Sequence, residues 1–104
     1  DSLDDIAANK TLAYFDRNEP KDLFDLYYLI NKSGFSVSRL LQLVNDKFGI
    51  RFSEFSFWSE STKSLKLLNS LRPLIIDKNP EALIEKISKF FLEEGRKSLA
   101  KSLG

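Results

Sequence analysis

Apolar residues in this chain recur every three or four positions, and nowhere do they alternate with polar ones for long enough to build a convincing strand. That periodicity confines the chain to helices, and its punctuation sets their limits. Ser2 suits an N-cap, with Asp4 and Asp5 in the first turn, where the positive end of the helix dipole favours acids. A first helix then runs to about Arg17, and Asn18-Glu19 makes the turn. Pro20 opens a second helix, to about Lys32, with Leu23, Leu26, Tyr27 and Ile30 at helical spacing. Ser36 caps a third, whose stripe is Val37, Leu40, Leu41, Val44 and Phe48; Gly49 follows, where a left-handed residue often ends a helix. Ser53 caps a fourth, with Phe55, Trp58, Leu65 and Leu68 inward and a break at Arg72-Pro73. Leu74-Ile75-Ile76 fits either an extended link or one helical turn. Asn79-Pro80 opens the last helix, with Leu83, Ile84, Ile87, Phe90 and Phe91 inward, and the basic end after Gly95 is expected to fray. The expected fold is all-α: a bundle of about five helices joined by short loops, one domain over residues 1–104.

What the chain lacks narrows its chemistry. Among 104 residues there is no His and no Cys. That excludes Ser-His-Asp and Cys-His engines, imidazole acid–base work, disulfides and zinc sites built on either residue. No apolar run approaches the roughly 20 residues that span a bilayer, and no secretory signal is present. The expectation is therefore a cytoplasmic protein with no membrane partner. The formal charge of +1 argues against a general electrostatic grip on nucleic acid. There is no Met and the chain starts at Asp1, which reads as a fragment or processed product of a longer protein.

Charge is unevenly spread. Residues 1–25 hold seven acids and three bases, whereas the remainder holds eight acids and thirteen bases. The acidic part contains the chemically suggestive positions. On a helical wheel Lys10 and Arg17 share a side with Ile6, Ala13 and Tyr14, while Ala8, Leu12 and Phe15 lie opposite. The first helix thus has two apolar stripes, as a helix sandwiched between layers would. Lys10 and Arg17 are two turns apart and can reach one anionic group; equally, their stems can lie along apolar surface with the charged heads in water. On the second helix Asp22 and Asp25 share a face. The helix dipole alone can explain an acid at Asp22, and less easily one at Asp25. If the Asn18-Glu19 turn is short, the two helices are antiparallel neighbours. Arg17 then comes close to Asp22, and Lys10 stands level with Asp25. Such a lysine–aspartate pair is either a structural ion pair or half of a phosphate-handling site.

The stretch from Asp5 to Ala13, followed by Asp16-Arg17-Asn18-Glu19-Pro20-Lys21-Asp22-Leu23-Phe24-Asp25-Leu26-Tyr27-Tyr28-Leu29, resembles the later motifs of the AbiEii-type nucleotidyltransferase toxins of abortive-infection toxin–antitoxin pairs. Their pattern is a helix bearing Lys, then Arg, then a basic residue before Asp-x-x-Asp-Leu-Tyr. Lys21 stands where the family more often has Arg. The resemblance covers about 25 residues and implies that these helices close over a nucleotide held by a preceding polymerase-β-like domain. It implies Lys10 as a nucleotide-phosphate contact, with Arg17 in support, Asp25 as the catalytic carboxylate and Asp22 as its neighbour. It further implies a nucleoside triphosphate and magnesium in the full-length protein, tRNA as a possible acceptor, and a cognate antitoxin. The family's Gly-Ser/Thr turn and metal-holding Asp-x-Asp strand are absent here. Because such transfer depends on metal and positioning, this chain alone is expected to be inactive, to bind no cofactor and to hold no metal.

The leading reading is thus the C-terminal helical part of a nucleotidyltransferase toxin. The alternative is a non-enzymatic helical interaction module that receives a partner on the second stripe of the first helix. Nucleic-acid binding by the basic C-terminal end is weaker, since aromatic residues are not interleaved there.

Overall fold

In a computed structural model the described residues, 2–65 and 79–103, form five helices and no strand. They are α1 (Ser2–Arg17), α2 (Pro20–Asn31), α3 (Val37–Phe48), α4 (Glu54–Leu65) and α5 (Pro80–Leu103). The expected all-α bundle is what the chain adopts. Leu68, Arg72-Pro73 and Leu74-Ile75-Ile76 lie outside the described residues.

The boundaries follow local chemistry. The Ser36 hydroxyl accepts from the Arg39 amide at 3.0 Å, and Ser53 serves Ser56 in the same way at 3.1 Å. The Asn79 side chain accepts from the Ala82 amide at 3.1 Å, so Pro80 begins α5 without losing a hydrogen bond. Gly49 ends α3 with φ at 70°, a left-handed conformation that costs glycine nothing. The basic end of α5 is helical. The helix continues to Leu103, and Gly95 in its interior is buried against the Trp58 ring.

α2 occupies the middle, touching α1, α4 and α5, while α1 lies along α3 and α4 along α5. α1 and α3 are joined by polar contacts: Arg39 meets Asp4 at 3.4 Å, and Lys47 reaches Asn9 at 3.0 Å. Lys47 also pairs with Asp5 at 3.6 Å. α3 thus pairs with Asp4 and Asp5, the two acids of the first turn of α1. The core holds Leu23, Leu26, Leu40, Ile84 and Ile87, and a line of rings crosses it. Tyr14 meets Phe57 at 5.0 Å, Phe57 meets Trp58 at 4.9 Å, and Trp58 meets Phe91 at 6.1 Å. Phe15 stacks on Phe52 at 3.8 Å.

Two expected faces are rotated. On α1 the buried residues are Ala7, Ala8, Thr11 and Tyr14, while Ile6 is 48% exposed. α1 sits in the angle between α2 and α3, so one broad face is covered and the Ile6–Lys10 side stays open. On α4, Phe55 is 59% exposed, and Phe57, Trp58, Ser61 and Ser64 turn inward. The two serines can be buried because each hydroxyl has an acceptor: Ser61 donates to the Trp58 carbonyl at 2.7 Å, and Ser64 to the Asn18 carbonyl at 2.8 Å. On α3, Leu43 is buried, whereas Phe48 is 37% exposed at the helix end. Among the described residues no helix is long and apolar enough to cross a membrane.

Tyr14 ties α1 to α4 by donating to the Phe57 carbonyl. Burial pushes its hydroxyl well above the ordinary tyrosine range. The unfolded chain releases this proton near pH 10 and the folded one does not, so folding loses stability as pH rises past about 10. Between pH 10 and 11 the wild type should lose about 1 kcal/mol more than Tyr14→Phe, as measured by urea unfolding. A Cβ at Gly95 would sit 3.6 Å from Trp58, an ordinary contact. Gly95→Ala should therefore stabilise the chain by about 0.5–1 kcal/mol, the helix-propensity gain, in the same assay.

Candidate functional site

The site is built on the α1–α2 hairpin. Its turn is as tight as a helical hairpin permits. Asn18 takes φ 51°, a left-handed value that asparagine tolerates, and its amide donates to the Tyr14 carbonyl at 3.0 Å. Glu19 is extended, and Pro20 starts α2. Packing from α4 fixes this turn: besides the Ser64 hydrogen bond, the Asn18 side-chain amide donates to Glu60 at 3.1 Å.

Two ion pairs span the hairpin at different depths. At the turn, Arg17 holds Asp22 through Nη2–Oδ1 at 2.7 Å and Nε–Oδ2 at 3.4 Å. Asp22 also accepts from the Glu19 amide at 3.0 Å, closing the first turn of α2. The Asp22 carboxylate is fully buried, and its hydrogen bond holds the Arg17 guanidinium above its ordinary range. Further along, Lys10 Nζ meets Asp25 Oδ2 at 3.0 Å, with the side chains 44% and 33% exposed. The four residues singled out from the sequence are thus brought together as two pairs along one hairpin. Arg17 and Lys10 do not converge on a single point, because each has its own carboxylate.

Beside the outer pair lies an open concavity of about 430 Å³ lined by Ile6, Lys10, Phe24, Asp25, Tyr28, Leu29 and Ser33. Asp22 and Arg17 do not line it. The sequence reading overlooked Phe24 and Tyr28 as part of this surface. Their spacing is the missed signal: they are one helical turn apart and flank Asp25.

A family model for the nucleotidyl transferase AbiEii toxin of Type IV toxin–antitoxin systems matches residues 1–102. The chain belongs to the AbiEii toxin family. The match reaches into all five helices, well beyond the 25 residues that carried the first resemblance. No curated protein and no solved structure matches the chain. AbiEii membership makes this a nucleotidyltransferase-like toxin of a toxin–antitoxin system. Among the described residues of this AbiEii chain, no three acidic side chains gather as a metal site would require.

The two carboxylates should separate in stability measurements. Asp22→Ala deletes a buried acceptor of a backbone amide and a guanidinium, and should cost about 2 kcal/mol. Lys10→Ala and Asp25→Ala break a half-exposed pair and should each cost less than about 1 kcal/mol, in urea unfolding at neutral pH.

Proposed function

We propose that this chain is the C-terminal helical part of an AbiEii-type nucleotidyltransferase and forms one wall of a nucleotide site. The facing wall is an N-terminal polymerase-β-like domain, which holds the nucleoside triphosphate with its magnesium. In this reading Lys10 contacts a nucleotide phosphate, and Asp25 accepts the proton of the attacking hydroxyl. The observation that carries it is the Lys10–Asp25 pair at the edge of an open concavity. A surface-exposed amine can exchange its carboxylate for a phosphate at little cost, which frees Asp25 to act as a base.

Asp22 and Arg17 act as positioning residues, since their charges are spent on each other and on the Glu19 amide. Among the described residues no group of three acids could hold a divalent cation. tRNA is the proposed acceptor class, and the family's toxin–antitoxin assignment supports a cognate antitoxin as partner.

A second reading, a non-enzymatic interaction module, draws on Ile6, 48% exposed on the open side of α1. The two readings separate in one experiment on the complete protein. Lys10→Ala and Asp25→Ala should each abolish nucleotide transfer and toxicity while circular dichroism stays unchanged. Full toxicity in both variants would overturn the site and favour the interaction module. Asp22→Ala, measured well below its melting temperature, should lower transfer by loosening the turn yet retain more activity than Asp25→Ala, since it removes no reacting group.

A further inference from the structure

The concavity beside the outer ion pair is amphipathic. Lys10 and Asp25 mark its charged edge, and Ile6, Phe24, Tyr28 and Leu29 supply apolar wall. Phe24 and Tyr28 sit with ring centroids 5.0 Å apart and planes at 45°. Tyr28 is braced a second time by Tyr27, perpendicular to it at 5.7 Å. Tyr27 in turn is buried and packs edge-on against Phe90 of α5 at 5.5 Å. Tyr28 is therefore ordered by two rings while it lines open space. A ring already held in place loses little entropy when a flat partner lands on it.

The spacing along α2 is also informative. Tyr28 stands three residues beyond Asp25, roughly 4.5 Å along the helix axis. A cation-bearing edge and an aromatic wall in one concavity match a ligand with an anionic head and a flat apolar end. We propose that Tyr28, braced by Phe24 and Tyr27, is a stacking platform for the base of the nucleotide whose phosphate Lys10 holds. This rests on the nucleotide site proposed above and names the groups that recognise the other end of the same ligand. Every base presents a π-face, so the platform supplies affinity and orientation without choosing the base.

The test uses the complete protein and two probes in calorimetric titrations: a nucleoside triphosphate, and inorganic tripolyphosphate, which has no base. Tyr28→Leu should weaken nucleoside triphosphate binding about tenfold and leave tripolyphosphate binding unchanged. Tyr28→Phe keeps the ring and should retain wild-type affinity for both. Lys10→Ala should weaken both probes. If Tyr28→Leu leaves nucleotide affinity intact, or weakens both probes equally, the platform is overturned. If Lys10→Ala leaves both affinities intact while Tyr28→Leu still discriminates between the probes, the phosphate role of Lys10 falls and the platform stands.

Discussion

The buried Asp22 carboxylate is the constraint on which the hairpin depends. It reaches back to the Glu19 amide and across to Arg17, so one acid ends the turn and joins the last residue of α1 to the first turn of α2. A carboxylate taken out of water demands such partners, and only a narrow set of turn geometries delivers them all. Once the turn is fixed, the register of the two helices is fixed with it. Lys10 lies eight residues before Asn18 and Asp25 six after Glu19, and the antiparallel arrangement brings them within reach of each other.

The rest of the bundle stiffens that hairpin from behind. α4 grips the turn through Ser64 and Glu60, and grips α1 through the Phe57 carbonyl that accepts from Tyr14. α5 closes over α4 where Gly95 is buried against Trp58, and it backs α2 through Phe90 against Tyr27. The open face is the one with Ile6, Lys10, Asp25 and Tyr28. A rigid scaffold behind and an uncovered edge in front is the arrangement a site needs if its groups are to be held without being blocked.

The sequence made the hairpin legible because its signals are local. Pro20 at a helix start, a short polar turn and charges at fixed distances from it suffice to predict that Lys10 faces Asp25. The capping residues Ser36, Gly49, Ser53 and Asn79 were legible for the same reason. What escaped was the direction of faces. Nothing local in α4 says that Ser64 turns inward and Phe55 outward; that is decided by the Asn18 carbonyl at the α1–α2 turn and by the approach of α5. Likewise the wheel of α1 shows two apolar sides, and only packing against both α2 and α3 merges them into one face and leaves Ile6 out. The distinction between the two acids also required the fold. In sequence Asp22 and Asp25 differ by one helical step, whereas in space one is enclosed and the other lines a cavity.

That difference in exposure decides which pair can take part in ligand exchange. A ligand anion that displaces Asp22 from Arg17 would leave a buried charge without its counter-ion and loosen the turn that positions everything else. Displacing Asp25 from Lys10 costs at most about 1 kcal/mol, because both groups already meet water and the freed carboxylate stays solvated. The same hairpin thus carries one ion pair that must stay closed and one that is free to open. In the proposed nucleotide site the inner pair would keep the register while the outer pair changed partners, so that the site could open and reset without unfolding the turn that builds it.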